Sequence, residues 1–359
     1  MKKYFVAAGA ALVMTFSGVS ANASLLFNLS YIPGTSVQEQ ASFATAANVW
    51  SSLFTDDVTV KLTVGTGVLG PNILAQAGSR RVSTTYSDFR GQLDWDRTSA
   101  LDDQAVSSLA NTSSFGMLIN GTNTNPDGTG SATPYVDNDG DANNSNIRLT
   151  AANARALGYT FDAGGVSGSC TDCDAFIQFS TGFAWDHDSS NGILDTAYDF
   201  VGIAIHEIGH ALGFVSGVDT LDANRNGNFA DSLFTFVSPL DMFRYSSDSA
   251  ALGVIDWTAD NRNKYFSVDG GATMGAQFST GQVFGDGRQA SHWKDNLGLG
   301  ILDPTAGKGE FLQVSQNDLY AFDAIGWDLA QTVPEPESLA LFGIALAVMM
   351  LSRRKVKQA

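Results

Sequence analysis

The chain has 359 residues, 44% of them hydrophobic, which is ample for a large core. Only 16% are charged, yet the formal net charge is −17, which argues against nucleic acid as a partner. The two cysteines, Cys170 and Cys173, are too few for a disulfide scaffold or a cysteine-ligated zinc site.

The N-terminus reads as a secretory signal over residues 1–23, and signal peptidase would remove it. Lys2 and Lys3 precede an apolar run from Phe5 to Phe16, and Ala21-Asn22-Ala23 is the cleavage pattern. Helical spacing of Phe43, Ala46, Ala47, Trp50 and Phe54 predicts a helix over Gln38 to Phe54. Strict alternation over Val58 to Val64 predicts a strand with one buried face. A helix near Ser99 to Leu109 and a short strand over Phe115 to Ile119 come next. A polar loop is expected from Gly121 to Asn146, then a strand at Ile147 to Leu149 and a helix from Thr150 to Leu157. Phe176 to Phe179 is another strand, either an edge along which an extended peptide docks or an ordinary core strand. After Leu221 the chain reads as loop-rich, apart from a late helix over Asp318 to Ile325.

The segment Asp199 to Gly213, DFVGIAIHEIGHALG, is apolar nearly all round and predicts a buried helix. Thr196 and Asp199 would cap its start and Gly213 would stop it. It contains the HExxH pattern as His206-Glu207-Ile208-Gly209-His210. On a helix His206 and His210 project from one face one turn apart, as two ligands of one zinc require. Glu207 lies about 100° further round the axis and reaches a water at the metal without being a ligand. A catalytic zinc needs a third protein ligand, and the choice falls among His292, Asp219 and His187.

The extended pattern through Gly213 resembles the metzincin clan of zinc peptidases. In the short form of that pattern a third His would stand at position 216, where this chain has Ser216. The region of Ser291-His292-Trp293 resembles the leishmanolysin-like branch, whose third His follows a long insertion. In that branch a Met-turn and a late helix come next. Gly300 to Thr305 stands at the turn position, with Leu302 where Met is expected. The resemblance implies an α+β, zincin-like fold. Residues 24–215 would form an N-terminal subdomain with a twisted, mostly parallel sheet and the active-site helix. Residues 216–332 would form an irregular C-terminal subdomain that supplies the third zinc ligand. It further implies a zinc endopeptidase acting on protein or peptide substrates, with Glu207 as general base. The competing reading is a surface or matrix protein that keeps the fold for adhesion without turnover.

Pro334-Glu335-Pro336, the apolar stretch Ser338 to Leu351 and the closing Arg353, Arg354, Lys355 and Lys357 form a three-part C-terminus. It resembles the PEP-CTERM sorting signal of Gram-negative bacteria, here residues 333–359. The resemblance implies recognition by an exosortase, transient membrane association of the tail, and delivery to the cell surface, the extracellular matrix or the medium. Without both ends the chain keeps 14 basic and 35 acidic residues, a net charge of −21. Such acidity suits a calcium binder. Asp222, Asn224 and Asn226, with Asp231 nearby, resemble the first half of an EF-hand-type loop, although Leu233 stands where its Glu belongs. Asp137-Asn138-Asp139-Gly140-Asp141 and the set Asp186, Asp188 and Asn191 are weaker Ca2+ candidates. In an exported chain, Cys170-Thr-Asp-Cys173 reads as a small structural disulfide.

Overall fold

The computed structural model describes residues 24–330, so the secretory signal and the sorting tail lie outside the described residues. In chain order the first half comprises β1 (Leu26–Tyr31), α1 (Val37–Leu53), β2 (Thr59–Gly67), β3 (Ala75–Ser79), β4 (Arg81–Thr85), α2 (Tyr86–Asp96) and α3 (Ala100–Ser108). There follow β5 (Met117–Ile119), β6 (Tyr135–Asp137), α4 (Ala142–Ser145), β7 (Asn146–Thr150), α5 (Ala151–Ala156) and β8 (Ala175–Ser180). The second half holds β9 (Trp185–Asp186), β10 (Tyr198–Asp199), α6 (Phe200–Leu212), α7 (Val218–Asn224), β11 (Arg244–Tyr245), α8 (Ser247–Leu252), β12 (Ile255–Asp256), β13 (Lys264–Phe266), β14 (Gln277–Phe278) and α9 (Gln316–Ala324). The architecture is α+β. The polar stretch 121–146 contains β6 and α4 as well as turns, and the region after Leu221 contains several two- and three-residue strands.

The main sheet runs β1-β2-β8-β3. β1, β2 and β8 are parallel, with Leu29 opposite Leu62 and Val64 opposite Ile177. β3 is antiparallel to β8, with Ala77 opposite Ile177, and it forms one edge. In β2, Val60, Leu62 and Val64 are buried and alternate with half-buried Lys61 and Thr63, the period-2 pattern of a strand covered on one face.

That face is covered by α1 and α6. α1 starts at a capping box, with Glu39 N–H donating to Ser36 Oγ at 3.2 Å and Ser36 N–H donating to Glu39 Oε2 at 2.7 Å. Its buried Phe43, Ala46, Ala47 and Trp50 lie three or four residues apart, on one side of the helix. Phe43 meets Phe179 of β8 and Phe200 of α6 edge-on, with ring centroids 5.1 and 5.0 Å apart. Trp50 Nε1–H donates to the Ile205 carbonyl at 3.0 Å, which ties α1 to the middle of α6. The last helix joins the same core, since the Phe322 ring of α9 lies 4.8 Å from that of Trp50.

Candidate metal centre

Asp199 is itself the N-cap of α6, with Thr196 upstream of the cap. Its Oδ1 accepts from Gly202 N–H at 2.8 Å, and its Oδ2 from Leu312 N–H at 3.2 Å. Gly213 ends the helix at φ +127°, a backbone angle that disfavours any side chain. Between the two histidines, Gly209 leaves room for Leu302, because a Cβ there would lie 3.2 Å from Leu302 Cδ2. The turn after His292 therefore packs directly beneath the HExxH segment, with Leu302 fully buried.

The structure brings three imidazoles together. His210 Nε2 lies 3.1 Å from His206 Nε2 and 3.1 Å from His292 Nε2, and the three facing nitrogens lie within 4.8 Å of one another. Each Nδ1 is turned to a backbone carbonyl: Ile301 for His206 at 2.7 Å, Phe214 for His210 at 2.7 Å, and Gln289 for His292 at 3.3 Å. A carbonyl only accepts, so each Nδ1 carries the proton and each Nε2 presents a lone pair. Three lone pairs converging at this spacing repel one another unless a cation lies between them. Two nitrogens about 2.0–2.1 Å from a tetrahedral zinc are about 3.3–3.4 Å apart, close to the spacing seen here. Burial depresses all three imidazoles, His206 to about 4, His210 to about 3 with help from His206, and His292 well below the usual range. They are neutral at physiological pH, which is the ligand form.

The other candidate ligands are held away from this point. His187 pairs its Nδ1 with Ser42 Oγ at 2.9 Å and lies against the ring of Phe200. Asp219 accepts from Ala290 N–H at 2.6 Å, from Ser291 N–H at 3.2 Å and from Ser291 Oγ–H. Its carboxylate thus fastens the strand of chain that carries His292. Ser216 is buried, and its hydroxyl donates to Asp241 Oδ1 at 2.5 Å. Asp241 in turn accepts from Gly217 N–H, Ser238 N–H and Trp257 Nε1–H.

Asp318, seen in the sequence only as the start of a late helix, organises the second half of the centre. It is fully buried, accepting from Trp293 Nε1–H at 2.8 Å, Ile301 N–H at 2.9 Å and Ser315 N–H at 2.7 Å. Trp293 follows His292, and Ile301 holds His206, so one carboxylate supports two of the three imidazoles. A buried Asp one turn into a helix, with Ser315 at its N-cap, was the only sequence signal available for it.

Glu207 lies beside the imidazoles at the bottom of a cleft of about 980 Å³. It is 6% exposed, and burial pushes its carboxyl up to about 8. The same cleft is bounded by Leu74, Ala75, Gln76, Ala77 and Ser79 of β3 and its approach. The strand Phe176 to Phe179, weighed as a docking edge, is part of β8. It pairs on both sides and presents no free edge. β3 is the strand that borders the cleft with one side unpaired.

The carboxylates read as calcium candidates accept hydrogen bonds within the fold. Asp222 falls within α7, because Val218 and Leu221 at helical spacing enter the core and carry the segment into a helix. Its carboxylate accepts from Val283 N–H at 2.7 Å and Phe284 N–H at 2.8 Å. Asn224 donates to the Thr220 carbonyl, and Asp231 accepts from Tyr135 Oη–H and Ser232 N–H. Asp137 takes the Asn143 amide, and Asp139 and Asp141 close turns on backbone N–H groups. Asp186 holds the Asp188 and Leu194 N–H groups, and Asp188 accepts from Ser190 and Asn191. Among the described residues, the three histidines are the only set of three or more acidic, His or Cys side chains close enough to share one ion. Cys170 and Cys173 are joined as a disulfide.

Residues 332–355 match the PEP-CTERM protein-sorting motif. This supports a bacterial exported protein, sorted to the cell surface of a Gram-negative bacterium and recognised by an exosortase at its C-terminus. No curated protein and no solved structure matches the chain. No helix among the described residues is long and apolar enough to cross a membrane.

Proposed function

We propose that this exported chain is a zinc-dependent endopeptidase with a zincin-like fold. The observation that carries the reading is the convergence of three neutral imidazoles, each oriented by a carbonyl, with an unpaired buried carboxylate beside them in an open cleft. His206, His210 and His292 would hold the ion and leave a fourth position facing the cleft. Zinc bound there supplies a Lewis acid that polarises the scissile carbonyl and makes water acidic enough to attack. A cation held beside Glu207 would favour its ionised form against the burial that raises it, and that carboxylate would accept the proton of the attacking water and pass it to the leaving amine nitrogen, so that one peptide bond breaks and one water is consumed. An extended substrate adds as a further strand to the free edge of β3, its main chain hydrogen-bonded along Ala75 to Ser79.

Leu302 supports this reading as readily as a methionine would. It lies under the centre against Gly209 and coordinates nothing, so only its volume matters. The buried Glu207 speaks for turnover over adhesion, because no hydrogen bond or ion pair among the described residues uses it. The test is Glu207→Gln. The variant should keep about one zinc per chain, measured by elemental analysis, and lose hydrolysis of quenched fluorescent peptides by about 100- to 10,000-fold. Unchanged hydrolysis in the variant would remove Glu207 from the reaction.

A further inference from the structure

The cleft contains a cation that pairs with no carboxylate among the described residues. Arg81, the first residue of β4, lies two positions past the end of β3 and lines the cleft beside Phe236 and Asp219. Its guanidinium lies over the Phe236 ring, with Cζ 4.1 Å from the ring centroid, so one face is fixed by an aromatic platform. Its Nη1 is buried and meets no acceptor among the described residues. The other cleft arginine, Arg288, is paired with Asp295 at 2.8 Å. The two carboxylates whose charge reaches Arg81 are Asp219 and Asp241, and both are committed. Asp219 holds Ala290 and Ser291, while Asp241 holds Ser216, Gly217, Ser238 and Trp257. Arg148, on the partner strand β7, places a second positive charge toward the same ring, 5.8 Å from its centroid.

A half-buried guanidinium with one unpartnered nitrogen and no carboxylate is costly, and this chain has acids in excess. Burial lowers its pKa to about 10, so it stays charged at neutral pH. Arg81 lines the same cleft as His206, Glu207 and His210, which places it at the proposed reaction centre. A planar donor fork held on a ring and lacking a partner fits one ligand chemistry above others, the carboxylate.

We propose that Arg81 anchors a carboxylate of the peptide substrate, so that the enzyme selects acidic peptides. This deepens the peptidase reading and rests on it. The carboxylate has two sources, an Asp or Glu side chain at a fixed distance from the cleaved bond, or the free C-terminus of the peptide.

The experiment uses the mature exported protein loaded with zinc and a set of quenched fluorescent peptides. Members differ only by Glu against Gln at each position in turn, and by a free against an amidated C-terminus. Hydrolysis is measured on the wild type, Arg81→Gln and Arg81→Lys. Binding of the same peptides, by fluorescence anisotropy, is measured on Glu207→Gln with and without Arg81→Gln. A favoured Glu at one position, or a favoured free C-terminus, should raise kcat/KM and tighten binding by about tenfold or more. Arg81→Gln should bring that ratio close to one, chiefly through a loss on the favoured acidic peptide, and Arg81→Lys should restore part of it. Which arm shows the preference identifies the source. A merely structural role would lower hydrolysis of all peptides alike. Equal or absent binding of acidic and neutral peptides, or a preference that survives in Arg81→Gln, overturns the proposal. Binding that discriminates through Arg81 while no peptide is hydrolysed upholds the anchor and rejects the peptidase reading.

Discussion

Each imidazole of the proposed metal centre is fixed by contacts within the chain, and those supports differ in kind. His206 and His210 come from one helix and lean on the carbonyls of Ile301 and Phe214, whereas His292 stands in irregular chain fastened by Asp219. His292→Ala should therefore reduce zinc from about one per chain to a small fraction, as read by elemental analysis after dialysis. His187→Ala, which removes only the contact to Ser42 and Phe200, should leave zinc unchanged. Asp219→Ala removes the acceptor of Ala290 and Ser291 and should weaken zinc binding by about 10- to 100-fold, as measured by competition with a chelator. His206, Glu207 and His210 were legible in the sequence because a helix converts a spacing of four into a shared face. His292 was preferred to Asp219 and His187 only through the resemblance of its surroundings, because spacing does not say which distant side chain the fold turns inward. The role of Asp318 was hidden for the same reason, since its partners Trp293 and Ile301 precede it by up to 25 residues and meet it only through packing.

Among the elements, those with a strong periodic apolar signal were readable and those without it were not. α1, β2 and α6 carry such signals and lie where the pattern puts them. β3 reads Ala-Gln-Ala-Gly-Ser, with no large apolar residue, yet it forms the edge strand because β8 pairs with it along its length. The helix stop at Gly213 was also readable, and it supports a quantitative prediction. Gly213→Ala would place a Cβ at φ +127° and 3.1 Å from both Asn153 Cβ and Ile325 Cδ1. It should destabilise the protein by about 1–3 kcal/mol, seen as a lower Tm. A second prediction concerns a group of acids where the end of α2, the start of α3 and α9 meet. Burial, then mutual repulsion, pushes Asp96 up to about 8 and Asp323 to about 7. Asp56 rises to about 7, with Asp102 and Asp328 adding charge around it. A carboxyl raised in the fold contributes stability that is intact below its unfolded value near 4 and lost as pH rises through its folded value. In the metal-free protein, where zinc loss plays no part, the three depressed imidazoles oppose this slope below their unfolded value near 6.5, so the fall in stability from the acids should show between about pH 6.5 and 8. Asp96→Asn should flatten that slope in chemical denaturation at several pH values. A slope identical to wild type would show that these acids ionise freely in the fold.

At the scale of the whole molecule, the aromatic core and the metal centre join the same distant parts of the chain. Trp50 and Phe54 of the N-terminal half meet Phe322 and Trp327 of the C-terminal half, and His210 meets His292 across 82 residues. An ion bound by native ligands only stabilises the native state by mass action. Removing zinc with a chelator should lower the Tm of the wild type and leave that of His292→Ala nearly unchanged, by scanning calorimetry. Loss of residues 332–355 should shift the protein from the cell surface to the medium without changing its rate on soluble peptides, by fractionation and assay. The long reach of the third histidine has one more consequence, for timing. An exported chain leaves the cytoplasm N-terminus first, so His206 and His210 cross long before His292, and Asp318, which steadies it, crosses later still. A peptidase assembled this way is inert through most of its passage and becomes complete only when nearly the whole chain is outside. The order of translocation would then guard the cell interior without any masking segment.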